Sequence, residues 1–204
     1  MKVEAEIEMT TKLEFKVLKT TDEDIATMNT MVFIDYESLF ISFSKEYCQA
    51  PMLDQLLTEL KSSGKILKIF AFGDFTKPEI SQERNHIRTI TSNIIDCGNE
   101  SLNSKKDFTD FIMLDHVYQE LIQTKDIQQF ILVTGDGHFS SAATFIRTFM
   151  DKTVGVYGVY GSLSRQLKEC SSWTKELSVS DADEAEYRSQ RLYLCPTSKG
   201  KVTH

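Results

Sequence analysis

Short apolar runs alternate with longer segments of helical period through the middle of the chain. Five runs read as strands: Met31-Val-Phe-Ile34, Lys65-Ile-Leu-Lys-Ile-Phe-Ala-Phe72, Asn93-Ile-Ile-Asp-Cys97, Phe130-Ile-Leu-Val133 and Lys152-Thr-Val-Gly-Val-Tyr157. Short runs with little alternation suit strands covered on both faces, as in a parallel sheet. Between them lie helical patterns. One runs through Leu39, Phe40, Phe43 and Tyr47, and a second from Pro51 to Leu60. Pro51 fits a first helical position, and Gly64 fits the stop just past the end. A third opens at Pro78-Glu79 and carries Arg84, His86 and Arg88. The helix after Phe139 takes Ser140 as its N-cap. A last one spans Ser162 to Cys170. The segment from Asp107 to Gln123 has apolar residues nearly all round, which predicts a buried helix.

Strands and helices that alternate in this way predict an α/β fold, a doubly wound sheet with helices on both faces. The expected strand order is 3-2-1-4-5, a three-layer α/β/α sandwich around a five-stranded parallel sheet. Residues 31–173 form this domain. Residues 1–30 form an N-terminal extension. Within it, Lys12 to Leu18 alternates like an edge strand, and Thr20 to Ile25 resembles a helix start. Residues 174–204 are a polar tail.

Composition changes this picture little. The chain has 204 residues, 41% hydrophobic and 26% charged, which is ordinary for a globular domain with tails. No apolar run approaches the roughly 20 residues of a membrane span, and the N-terminus lacks an apolar signal core. These features point to a cytoplasmic protein with no membrane partner. The four cysteines form no CxxC pair, which argues against a zinc site. The net charge is −7. A nucleic acid would therefore be met through a local patch or a metal, not a broad basic face.

Two expected strands end in an acid or reach one within a short turn. Asp35 ends the first. Asp136 follows the fourth, in Thr134-Gly-Asp-Gly-His138, where a strand hands over to a helix. In open α/β sheets this carboxyl edge is where ligands bind. Strands 1 and 4 flank the switch point, so the two acids fall close together. Asp110, early in an apolar helix, can point at the same place. Crowded carboxylates repel, and each is costly to desolvate. A hard divalent cation, Mg²⁺ or Mn²⁺, resolves the conflict and suits phosphodiester hydrolysis. Glu37, Asp74, Asp107 and Asp115 are further site contacts by position. Lys105 and Lys106, just before the acidic helix, are the candidate phosphate contacts. Phe72, Phe75 and Phe139 read as core residues.

Five segments in order now resemble a known family: Val32-Phe-Ile-Asp-Tyr-Glu-Ser-Leu-Phe40, Ala71-Phe-Gly-Asp-Phe75, Lys106-Asp-Phe-Thr-Asp-Phe-Ile-Met-Leu-Asp115, Leu132-Val-Thr-Gly-Asp-Gly-His-Phe139 and Val156-Tyr-Gly-Val159. The chain resembles the NYN domain, in its LabA-like branch, of the PIN-like nuclease fold. That resemblance covers about residues 31–173. It implies a five-stranded parallel α/β/α sandwich and metal-dependent cleavage of RNA. It places metal-holding acids at the positions of Asp35, Asp110 and Asp136. PIN-like domains often pair, so a homodimer follows by analogy.

Three positions depart from the family pattern. Ser38 stands where Asn is usual, and Asp110 and Asp115 are five apart instead of six. His138 stands where a second acid is usual. An imidazole there favours Mn²⁺ over Mg²⁺ or acts as a proton donor. The leading expectation is a ribonuclease acting on single-stranded RNA through Asp35, Asp110, Asp136 and His138. The rival is a degraded site serving RNA binding or protein interaction, which His138 and the net charge favour. The chain carries no P-loop, GxxxxGK followed by Ser or Thr, which argues against a P-loop nucleotide enzyme.

Overall fold

A computed structural model describes residues 22–98 and 108–179 of the chain. A short helix α1 (Asp22–Thr27) leads into β1 (Asn29–Asp35), then α2 (Tyr36–Tyr47), α3 (Leu53–Ser62) and β2 (Lys65–Gly73). Two single-turn helices follow, α4 (Pro78–Ser81) and α5 (Arg84–Ile87), before β3 (Asn93–Asp96). The chain then runs through α6 (Thr109–Gln123), β4 (Gln129–Val133), α7 (Ser140–Phe149), β5 (Thr153–Val159), α8 (Arg165–Cys170) and β6 (Trp173–Leu177). All pairings are parallel, in the order β3-β2-β1-β4-β5-β6.

The central strands are buried from end to end, as their unbroken apolar runs require: β4 shows no exposed residue and β1 is covered from Thr30 on. Successive residues point to opposite faces. Val32 and Ile34 of β1 pack under α2 and α3, with Leu39, Phe43, Leu56 and Leu60. Met31 and Phe33 face the other way, towards Met113, Val117 and Leu121 of α6 and Ala143 and Ile146 of α7. On that second face Phe33 stacks between Phe70, 5.2 Å away, and Phe130, 6.0 Å away. Both layers of helices therefore rest on one sheet. No helix among the described residues is long and apolar enough to cross a membrane.

The expected order 3-2-1-4-5 is present, with a sixth strand added. β6 straddles the boundary expected at residue 173. Its edge position explains the miss: Trp173-Thr-Lys-Glu-Leu177 is half-buried and of mixed polarity. Gly155 explains its seat. A Cβ there would lie 2.0 Å from the Trp173 ring, so only glycine lets the indole lie against β5. The indole N–H then donates to Gln129 Oε1 at 3.0 Å.

α6 corrects a second expectation. It is not buried all round. Met113, Val117 and Leu121 are buried, whereas Phe111 and Ile122 stand in solvent. Local caps also differ. Ser140 begins α7, which has Phe139 at its N-cap and no side-chain cap; Asp136 instead caps the preceding 3₁₀ turn, Gly137–Phe139, its carboxylate accepting the His138 N–H. α3 starts at Leu53, two residues after Pro51. The expected helix start near Asp22 is seen as α1. The expected edge strand of residues 12–18 lies outside the described residues.

Candidate functional site

The site is built from two neighbouring strand ends and one helix start. Asp35 is the last residue of β1 and the N-cap of α2: its Oδ1 accepts the Ser38 N–H at 3.0 Å. Its Oδ2 accepts the Thr134 hydroxyl at 3.3 Å. The same hydroxyl oxygen accepts the Asp136 N–H at 3.2 Å. Thr134 thus ties together the acids of β1 and of the β4 turn. Asp136 in turn accepts the His138 N–H at 2.8 Å. The turn is pressed against the loop after β5. Ser164 N–H donates to Gly135 O at 3.0 Å, and a Cβ on Gly135 would come within 2.6 Å of Ser162 O. Glycine there answers a close backbone approach.

α6 enters from the other side with Asp110 in its first turn, where the helix dipole favours an acid. His138 Nδ1 lies 3.4 Å from Asp110 Oδ2 and 3.2 Å from Asp136 Oδ1. One ligand atom from each of Asp110, Asp136 and His138 falls within 4.8 Å of the others. His138 is the exposed member of the three; the two carboxylates are partly covered.

Asp35 sits deeper, only 4% exposed. Burial pushes its carboxyl up to about 7; the nearby charges of Asp110 and Glu37 push the same way, against the opposing pull of the Ser38 and Thr134 hydrogen bonds. Such a group is expensive to ionise without a cation nearby. Two carboxylates and an imidazole, backed by a buried third carboxyl, form a donor set that fits a divalent metal.

The other acids of this edge are placed differently. Glu37 is buried and pairs with Lys77, and its Oε2 accepts the Asp74 N–H at 3.1 Å. Asp74 also lies 3.9 Å from the Lys77 ammonium. Asp96, at the end of β3, pairs with Arg84 and accepts the N–H groups of Phe75 and Gly98. Asp115 is exposed on α6 and takes a hydrogen bond from the Gln119 side chain at 2.6 Å. None of Glu37, Asp74 and Asp115 belongs to the Asp110–Asp136–His138 group. Asp107, Lys105 and Lys106 lie outside the described residues. Phe72, Phe75 and Phe139 are buried core residues. Sequence reasoning passed over Thr134 and Lys77. Thr134 adjoins Gly135-Asp136, so its hydroxyl was a visible candidate; nothing in the sequence ties Lys77 to Glu37.

Comparison with known proteins agrees with this geometry. The model of the NYN domain matches residues 29–175. A crystal structure of a protein of unknown function from Vibrio parahaemolyticus is similar, with a TM-score of 0.66 at 18% identity, over 75% of this chain and 94% of that one. At that identity the likeness shows the fold alone, and the fold is PIN-like. No curated protein matches. The chain belongs to the NYN family, a family of PIN-like nucleases.

Proposed function

We propose that this NYN-domain chain is a LabA-like, cytoplasmic ribonuclease that hydrolyses phosphodiester bonds of single-stranded RNA with Mn²⁺ or Mg²⁺. One observation carries the reading: Asp110, Asp136 and His138 converge on one point beside a buried carboxyl that ionises only near neutrality. Asp110 and Asp136 would hold the ion, Asp35 would back it from below, and His138 would close the donor set from the solvent side. A divalent ion held there supplies Lewis-acid stabilisation of phosphoryl charge and lowers the pKa of water.

The chain's own residues do the positioning. Thr134 keeps the Asp35 carboxylate and the Asp136 backbone in one relative placement through a single hydroxyl. The Ser38 N–H, at the start of α2, holds the other oxygen of Asp35. The Asp136–His138 turn is held by its own cap and by the loop at Ser164. These fixed donors leave little to reorganise when a phosphate arrives. Lys105 and Lys106 remain the proposed phosphate contacts. Glu37 and Asp74 support the edge through Lys77 and stay out of the chemistry.

A second reading rests on His138. Its Nδ1 lies between the two carboxylates and bridges them with the ring alone. That arrangement suits a binding module with no cleavage. Labelled single-stranded RNA incubated with the full chain, with and without Mn²⁺, separates the two. The ribonuclease cleaves only with metal, and Asp136→Asn stops it. Absence of cleavage by a folded wild-type chain contradicts the hydrolase and favours the binding module.

A further inference from the structure

A groove opens on the layer opposite α6, between α2, α3 and the edge strand β6. It encloses about 610 Å³, the size of a pocket that takes a few side chains or a small ligand. Leu39 and Phe43 of α2, Met52 and Leu56 of the α3 segment and Leu177 of β6 give it apolar walls. Asp54 and Glu59 stand on its α3 side. Both are exposed, and neither has an ion-pair partner among the described residues. Lys175 also lines the groove, but its ammonium donates to Ser63 Oγ at 3.0 Å and lies against the Tyr157 and Trp173 rings. Glu176 is taken by Lys168. The groove thus sets two unanswered acids beside apolar walls.

The chain itself arrives at this groove. After β6, Ser178 and Val179 join its lining, and the Tyr47 hydroxyl is hydrogen-bonded to the Val179 backbone. In residues 180–204, which follow, the longest apolar run is Leu192-Tyr-Leu-Cys195, with Arg188 and Arg191 just before it. Two cations ahead of an apolar run complement two acids beside an apolar groove.

We propose that residues 188–195 of the same chain seat in this groove, with Leu192 and Leu194 against its walls and Arg188 and Arg191 against Asp54 and Glu59. The connection is long enough. From Lys175 to Val179 the groove follows β6 for about 13 Å at strand rise. Residues 180–191 extend to roughly 40 Å, enough to leave and return. A segment tethered so near stands at an effective concentration on the order of 1 mM, which a free peptide or small ligand must exceed. The seat also covers β6, an edge strand, and natural sheets cover or blunt such edges. Asp181, Asp183, Glu184 and Glu186 lie in the connection, where repulsion by Asp54 and Glu59 keeps them out of the groove. The inference stands apart from the hydrolase reading, because no groove residue belongs to the Asp110–Asp136–His138 site.

Hydrogen exchange of the full chain at low concentration, read by mass spectrometry, tests it. Amides of residues 192–195 should exchange at least about tenfold slower than in a free peptide of the same sequence. Asp54→Arg combined with Glu59→Arg should remove that protection. Both positions are exposed, so this variant keeps the fold, which circular dichroism checks. Adding Arg188→Glu and Arg191→Glu to the pair should restore the protection. Free exchange of residues 192–195 in the wild type overturns the proposal. So does protection that survives the groove reversal, or exchange that stays fast in the fourfold variant. Protection that grows with concentration overturns it in favour of a segment from a second copy. Protection of residues 12–18 that vanishes on groove reversal overturns it in favour of the N-terminal segment.

Discussion

Two groups of carboxylates share the carboxyl edge of this sheet, and they are treated in opposite ways. Glu37, Asp74 and Asp96 gather at the ends of β2 and β3 and meet Lys77 and Arg84. Their negative charge is answered by the protein's own cations and by backbone N–H groups. Asp35 and Asp136, one strand over, take the hydrogen bonds described for them from neutral donors: a backbone N–H and a threonine hydroxyl for one, a backbone N–H for the other. Asp110 joins them, and His138 is the titratable base between. A carboxylate with an ammonium in contact serves the fold. Carboxylates gathered around neutral donors create a local negative potential that a bound cation relieves. The difference separates structural acids from candidate ligands more sharply than burial does, because Glu37 and Asp35 are equally buried.

The largest expected effect falls on Asp136, in the group held by neutral donors. Asp136→Asn keeps the shape and the cap acceptor but removes a charge. RNA cleavage with Mn²⁺ should fall by about 1,000-fold, read as single-turnover rates, with the melting temperature held or raised. Glu37→Gln in the same assay should cut at close to the wild-type rate. Equal losses in the two variants would erase the distinction between the groups.

Asp35 gives the next effect, and its sign is fixed by its pKa. The folded carboxyl ionises at about 7, against 3.8 for a free aspartate. Between those values the folded state holds a proton that the unfolded state has released. The stabilisation is full below the lower value and is lost as pH rises through the upper one. Without metal, denaturant titration should show stability falling from pH ~4 to ~7 by up to roughly 4 kcal/mol from this group. Asp35→Asn should flatten that dependence and be the more stable chain at alkaline pH. A wild-type profile that rises over this range would contradict the burial argument.

Smaller changes belong to the compensated group. Glu37→Gln replaces the buried charge that faces Lys77 by a neutral amide and weakens the bond to Asp74 N–H. A loss of about 1–3 kcal/mol in chemical denaturation is expected. Arg84→Ala should matter least. Its pair with Asp96 is more than a third exposed on both sides, so solvent screens it, and less than about 1 kcal/mol is expected.

Much of the sheet could be read in advance because its strands are buried on both faces. Phe130-Ile-Leu-Val133 has no polar residue to confuse the reading, and it is covered end to end. Asp35 and the Asp136 turn were likewise visible, since each follows such a run directly. β6 was not. At the sheet edge one side of a strand meets solvent, and Trp173-Thr-Lys-Glu-Leu177 carries the mixed polarity that edge permits. α6 misled for a related reason. Two apolar stripes look alike in a sequence whether one meets a core and the other water, or both are covered. Within the site, the approach of His138 Nδ1 to Asp110 joins residues 28 positions apart, and that of Lys77 to Glu37 spans 40. Such pairings arise from how the helices sit on the sheet, which local pattern does not encode.

The most direct test is calorimetric titration of Mn²⁺ into the metal-stripped full chain near neutral pH, beside Asp136→Asn and Glu37→Gln. The account predicts one strong site in the wild type, with proton release as Asp35 loses its proton. Asp136→Asn should weaken it at least about tenfold, whereas Glu37→Gln should bind as the wild type does. No binding by the wild type, or equal loss in the two variants, would contradict it.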